Sequence, residues 1–208
     1  MAESYPLLMP ASNIRGIKII ARDTVGVSAS PFTGSQQVFR HQAQSWEADI
    51  TLTSMARDES EEWLAFILRL RGQFGTFLLG DPLGKVPRGS ASTNAGTPVV
   101  NGANQKGDTL NITGIPVNAG VYLKVGDYIQ LGSASTASLH KVLEQVSPDA
   151  SGEAALNLWP AVHSTHADQS PVVVYNAMGN FRLASNESGW SERLGGIYDV
   201  TFGAVEAQ

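Results

Sequence analysis

Near its C-terminal end the sequence holds a strand that cannot fold by itself. In IYDVTFGAVEA, Tyr198, Val200 and Phe202 alternate with Asp199 and Thr201, the period of a β-strand with one buried face. A strand this apolar needs a sheet to join. The stretch that stops at Pro82 holds strands of the same style. IRGIKIIA (Ile14–Ala21) is short and β-branched, Val25–Ala29 is a weaker version, and Gln37–Thr53 reads as a hairpin. In that hairpin's second arm Trp46, Ala48, Ile50 and Leu52 share one face, while Glu47, Asp49, Thr51 and Thr53 share the other. The first arm, around Val38–Gln42, is more polar and is expected at a sheet edge or against a neighbour.

One convincing helix follows, in RDESEEWLAFILRLRG. Asp58 and Glu61 stand three apart, the spacing of a capping box. Trp63, Phe66, Ile67 and Leu70 follow the i, i+3, i+4, i+7 pattern of a buried face. Arg69 and Arg71 suit the negative end of the helix dipole, and Gly72 is a natural stop. Glu59, Glu61 and Glu62 read as a solvated first turn rather than as catalytic acids. GTFLLGDP then reads as a short buried strand ended by a turn.

From Thr97 to Tyr175 the texture changes. TPVVNG, DTLNITG, VYLKVGDYIQLG, LHKVLEQV, AALNLWP and SPVVVYN are short apolar runs separated by turn residues, with SPDASGEA as a hairpin turn and no helical period. The terminal strand returns to the earlier style. The expected fold class is therefore mainly β with one principal α-helix (α+β): a β-sandwich host domain from residues 1–84 and 171–208, with a small β-barrel or sandwich of residues 85–170 inserted in it. The segment GDPLGKVPRGSASTNAG (Gly80–Gly96) is the outgoing connector.

Composition narrows the chemistry. The 208 residues are 42% hydrophobic and 16% charged, enough apolar matter for one or two cores. A net charge of −5 gives no overall attraction to nucleic acid or anionic lipid. The absence of cysteine removes disulfides, thiolate metal sites and cysteine nucleophiles. No apolar run approaches a membrane span, and MAESYPLLMP is acidic with too short an apolar stretch for a secretion signal, so a soluble protein made inside the cell is expected.

The motifs fall short of catalytic sites. A phosphate-binding loop needs four residues between its glycines, then Lys and Ser or Thr. Gly80 and Gly84 enclose three, and Val86 follows Lys85; Gly102 and Gly107 have the right gap, but Asp108 stands where Lys should be. His163, His166 and Asp168 in HSTHAD have the residue types of a zinc site but no third strong ligand, so solvated loop histidines are the plainer reading. Asp149, Ser151 and Glu153 alternate like part of a calcium loop whose remainder is missing. No serine sits in a nucleophile elbow, and His140 lies in a strand as a structural residue. No catalytic, cofactor-binding or metal residues are assigned. Trp46 and Trp63 belong to buried faces; Trp159, before Pro160, and Trp190, in a Gly/Ser-rich loop, are either buried or able to stack on sugars.

The order of these pieces resembles a known family. An N-terminal strand region, SPFTGSQQVFRHQAQSWEADITLTSM, then ARDESEEWLAFILRLRGQFGTFLLGDP, an inserted β module with LKVGDYIQLG and LHKVLEQVSPDASGEAALNLWP, and a returning strand resemble the minor tail proteins of long-tailed bacteriophages (siphoviruses), in particular the distal tail protein. The hairpin with its single helix is similar to the phage tail-tube fold.

That resemblance implies a non-enzymatic virion protein at the tail tip, assembled in the host bacterial cytoplasm. It implies a homohexameric ring that continues the tail tube, docks the tube protein and the tip or hub proteins, and lets DNA pass without specific binding. It implies no cofactor and no membrane insertion. In this sequence Gln37, Phe39, His41, Glu47, Asp49, Thr51 and Thr53 are the candidates for the inter-subunit and lumen-facing hairpin, with Glu47 and Asp49 making a polar, acidic wall that phosphate would not adhere to. An ordinary solvent face is the other reading of the same residues. A second hypothesis makes the insert a host-glycan-binding module, with Trp159 and Trp190 as stacking residues. A third, a small cell-wall hydrolase, lacks a paired-carboxylate or triad spacing.

Overall fold

A computed structural model of the chain describes residues 3–207; Met1 and Ala2 of the acidic opening stretch, and Gln208, lie outside it. The protein is mainly β with one α-helix among the described residues. The first part of the chain forms β1 (Leu7–Leu8), β2 (Ile14–Arg22), β3 (Val25–Ala29), β4 (Gln36–Arg40), β5 (Ser45–Leu52), β6 (Met55–Ala56), α1 (Arg57–Arg69) and β7 (Thr76–Leu79). The middle forms β8 (Val99–Val100), β9 (Gly107–Thr113), β10 (Tyr128–Leu131), β11 (Ser138–Val142), β12 (Ala154–Val162) and β13 (Val172–Val173). The chain then returns as β14 (Gly179–Leu183), β15 (Trp190–Arg193) and β16 (Ile197–Glu206).

The terminal strand finds the sheet its alternation requires. β16 lies antiparallel on β5, with Thr201 opposite Thr51, Phe202 opposite Ile50 and Ala204 opposite Ala48. The sheet runs β1-β7-β14-β16-β5-β2, with β6 and β15 also on β16, and curls into a nearly closed barrel. Trp46, Ala48, Ile50 and Leu52 point into it together with Tyr198, Val200 and Phe202. Helix α1 packs on this core through Trp63, Phe66, Ile67 and Leu70, all buried. The rings of Phe66 and Phe77 meet edge to face at 5.5 Å, and Trp63 Nε1 donates to Ser12 O at 3.1 Å. Each of these large side chains contributes roughly 1.5–3 kcal/mol by leaving water, which outweighs any single cap or ion pair on the helix surface.

Three expectations fail locally. Gln37–Thr53 is not one hairpin: β4 pairs with β3, Val27 opposite Val38, while β5 runs between β2 and β16. Both edges of β5 are occupied, so β4 has none to join and folds back on β3 as a separate two-stranded ribbon. The helix, in turn, has Ala56 as its N-cap with no side-chain bond, so Asp58 is not a cap. Met55–Ala56 is held as a strand against Tyr198 and Ile197, which starts the helix directly off the sheet. Asp58 and Glu59 fall within the first turn, where the dipole favours them, and Glu61 instead takes Arg57 Nε at 3.3 Å. The helical stop also falls one residue ahead of Gly72: α1 ends at Arg69 with Leu70 as its C-cap, and Arg71, at φ +52°, is the first left-handed residue, with Gly72 at φ +65° following it.

The middle strands make a separate six-stranded antiparallel sheet, β13-β10-β11-β12-β9-β8, around Leu110, Ile112, Tyr122, Ile129, Leu131 and Leu156. Its last strand, Val172–Val173, lies just past residue 170. The connector is built into this second core rather than left loose. Ser90 N and Ala91 N donate to Val121 O and Tyr122 O, and a Cβ at Gly89 would stand only 2.1 Å from Tyr122 O, so only glycine fits there.

Candidate assembly surfaces and the seam between the sheets

Three regions carry the residues singled out from sequence: the ribbon, the outer face of β5, and the seam between the two sheets.

The ribbon β3–β4 is exposed on both faces. Val25, Val27, Val38 and Phe39 all stand in solvent, and Phe32 at the tip is 96% exposed. No side chain from Val25 to Phe39 is ionisable. Its turn is preformed: Ser30 N donates to Ser35 O at 2.8 Å, Gly34 N to Ser30 O at 3.0 Å, and Ser30 Oγ accepts from the Phe32 and Thr33 amides. At its base Arg40 makes a two-pronged bond to Asp108 on β9, 2.7 Å at each prong. That guanidinium holds the Asp108 carboxyl below the usual carboxylate range. Gln37, Phe39 and His41 all belong to this exposed region.

Glu47, Asp49, Thr51 and Thr53 do face away from the barrel core, but they sit apart from Gln37, Phe39 and His41 because the two arms belong to different sheets. Nor do the acids form a bare wall. Lys18 Nζ lies 3.8 Å from Asp49, and Arg22 donates to Glu47, both across the β2–β5 pair. These partners sit on β2, whose pairing with β5 is not visible from the β5 alternation alone. The face is polar and charge-balanced.

The seam joins the barrel to the six-stranded sheet through an aromatic cluster. Trp46 meets Trp159 edge to face at 4.4 Å and Tyr128 at 6.1 Å, and its Nε1 donates to Leu139 O at 2.7 Å. Trp159 Nε1 and Gln44 Nε2 both donate to Asp23 Oδ1, and these two bonds lower the Asp23 pKa. Trp159 is therefore a seam residue, half covered by its neighbours. Trp190 lies not in a loop but on β15, opposite Val200, and is 45% exposed. The two tryptophans belong to different sheets and do not form one stacking platform.

Beside the seam a cavity of about 540 Å³ is lined by His140, His163, His166, Glu206 and several serines. Glu206 Oε2 accepts from Trp46 N at 3.1 Å, and Leu139 N also donates to it. Burial nevertheless pushes its pKa up to about 7 against the pull of those two donors. His140 donates from Nδ1 to Pro160 O at 2.7 Å, so its Nε2 accepts from Ser138 Oγ at 3.0 Å. Burial lowers this imidazole to about 4. It stays neutral near pH 7 and is a poor base for the serine beside it. His163 and His166 are half-buried rather than solvated, and their Nε2 atoms meet no partner among the described residues.

The remaining motifs resolve into local structure. In GDPLGK the Leu83 amide donates to Asp81 Oδ1 and the Gly84 amide to Asp81 O, so the loop's donors turn inward on a carboxylate. Asp168 accepts from Gly102 N at 2.7 Å. Asp149 accepts from the Ser151 and Glu153 amides, which hold its pKa down and close the hairpin turn. No described helix is long and apolar enough to cross a membrane.

Neither a scan against protein-family models nor a search of curated proteins finds a match to this chain.

Proposed function

We propose that the chain is a ring-forming structural subunit at the distal end of a siphophage tail tube. In this reading six copies close into a hexamer that joins the tube to the tail tip and surrounds the path of the DNA. The observation that carries it is the β3–β4 ribbon: a separate two-stranded element, exposed on both faces, that puts Val25, Val27, Phe32, Val38 and Phe39 in water with Arg40 as its one charged side chain. An isolated two-stranded ribbon is marginal in water, and contiguous exposed apolar surface marks an interface. A head-to-tail contact that closes is what a ring requires. The charge-balanced face of β5 and β2 suits a channel wall, because Lys18–Asp49 and Arg22–Glu47 leave little net charge to hold phosphate. The resemblance in element order agrees with this reading, and no cofactor or catalysis is needed for it.

Native mass spectrometry and light scattering across a concentration series test it. A particle of six times the 22.1 kDa chain mass is expected. A strict monomer at the highest reachable concentration overturns it.

A further inference from the structure

We infer that Asn101 is a self-modification site: the backbone nitrogen of Gly102 displaces its side-chain amide, and Asp168 is the base that takes the proton. This chemistry is independent of any assembly of the chain.

Asn101–Gly102, in VVNGANQ, is the one Asn-Gly step in the sequence. An asparagine side chain can close a cyclic imide onto the next backbone nitrogen, and a glycine in that place has no Cβ to obstruct the approach. Gly102 stands at φ +98°, and a Cβ built there would meet nothing nearer than Gln105 Nε2 at 4.0 Å. The main chain of Asn101 is held while its carboxamide is not. Asn101 N donates to Asn111 O at 2.9 Å and Asn101 O accepts from Gln105 Nε2 at 2.8 Å, but no hydrogen bond fixes the side-chain amide among the described residues. Asn101 borders an open cleft of about 430 Å³ shared with Asn111, Asp149 and Glu153, through which water enters and ammonia leaves.

The deciding contact is a bond from Gly102 N to Asp168 Oδ1, at 2.7 Å. As Gly102 N bonds to Asn101 Cγ its proton must pass to a base, and a carboxylate within hydrogen-bond reach of that proton is in the place such a base needs. The N–Cγ bond forms, the Cγ–NH2 bond breaks, and the proton taken by Asp168 goes to the departing amide, which leaves as ammonia. Water then opens the ring at either carbonyl, giving aspartate or isoaspartate with no change of redox state. Asp168 is 66 residues away in sequence and is brought here by the fold. Val100 N donates to Ser170 O and Gln169 N to Val100 O, both at 2.9 Å.

The product acts on the edge of the inserted sheet. Val100, next to Asn101, is fully buried and pairs with Ile112. Isoaspartate routes the main chain through one extra carbon, so Gln105 Nε2 can no longer bond Asn101 O, Gly102 O and Asn111 O together. β8 is two residues long, so conversion loosens this edge as the protein ages.

The full chain is aged at neutral pH, folded and in guanidinium, and each asparagine is followed by peptide mapping with isoaspartate detection. In the folded protein Asn101 is expected to convert ahead of Asn94, Asn118 and Asn176, which precede alanine. It is also expected to convert on the order of tenfold faster than in guanidinium, where Asp168 no longer meets Gly102. Asp168→Asn keeps an oxygen acceptor for Gly102 N and removes the base. This variant is expected to slow the folded rate about tenfold and to leave the rate in guanidinium unchanged. Asn101 that converts no faster folded than unfolded, or a folded rate untouched by Asp168→Asn, overturns the inference. If Asp168→Asn does not fold, the folded-to-unfolded ratio of the natural chain decides alone.

Discussion

Two of the groups that line one cavity titrate in opposite senses, and each makes stability depend on pH. Glu206 is raised from 4.5 to about 7 by burial. Between those values the native state holds a proton that the unfolded chain has lost, so stability falls as pH rises, by about 1.4 kcal/mol per unit. The stabilisation is fully present below 4.5 and gone above about 7. His140 is lowered from 6.5 to about 4, so between those values the unfolded chain holds the extra proton and stability rises with pH. Each displacement is worth about 3 kcal/mol, and between roughly pH 4.5 and 6.5 the two slopes cancel. Glu206→Gln removes one of them. Its carboxamide oxygen still accepts from Trp46 N, at a loss of roughly 1 kcal/mol for a neutral acceptor. Urea unfolding at fixed protein concentration, every half pH unit from 4.5 to 8, is expected to show the variant gaining on the natural protein by about 3 kcal/mol across that range, and ending more stable above pH 7. A difference between the two that stays constant from pH 4.5 to 7.5 refutes a buried, proton-holding Glu206.

Other perturbations probe the seam, the connector and the ribbon. Trp46→Ala removes the centre of the aromatic cluster and leaves Leu139 O without its donor; a loss of about 3–5 kcal/mol in urea unfolding is expected. Gly89→Ala drives a methyl into Tyr122 O; calorimetry is expected to show a loss on the order of 2–3 kcal/mol, as for other overpacked sites. Asp108→Asn weakens the clamp on Arg40; limited proteolysis is expected to cut faster within 25–40 while the thermal midpoint barely moves, because the pair is exposed. Phe32→Ser is expected to abolish higher-order species in light scattering without changing monomer unfolding, since the side chain touches nothing in the single copy.

What could be read in advance was what one-dimensional periodicity encodes. The alternation of Trp46, Ala48, Ile50 and Leu52, the matching run in Tyr198–Phe202, and the helical spacing of Trp63, Phe66, Ile67 and Leu70 each name a buried face, and each face is buried. Pairing partners are a different kind of information. Nothing in SQQVFRHQAQSWEADITL says that β5 has both edges filled by strands from either end of the chain, and adjacency in sequence favours the hairpin that does not form. The helix cap failed for a similar reason: spacing identified Asp58 and Glu61, whereas the sheet contact at Met55–Ala56 decided where the helix begins. Lys18 and Arg22 escaped notice as neutralisers of Asp49 and Glu47 because they become their neighbours only through strand pairing.

The seam explains why a polar cluster survives beside two apolar cores. Trp46 ends the inward row of β5, and its ring stays in the barrel core, where Tyr128 and Trp159 of the second sheet reach in to meet it. Its indole and backbone N–H groups then need acceptors, and Leu139 O and Glu206 supply them. Gln44, buried one turn of the pleat away, does the same for Ala161 N. A buried amide left unpaired costs about as much as a lost hydrogen bond, so each of these acceptors lets the seam pack without leaving a donor bare. Because Arg40 ties the ribbon to β9 of that same second sheet, the seam also sets where the ribbon projects from the barrel. A change that loosened Trp46 would therefore reach the assembly surface without touching any residue on it.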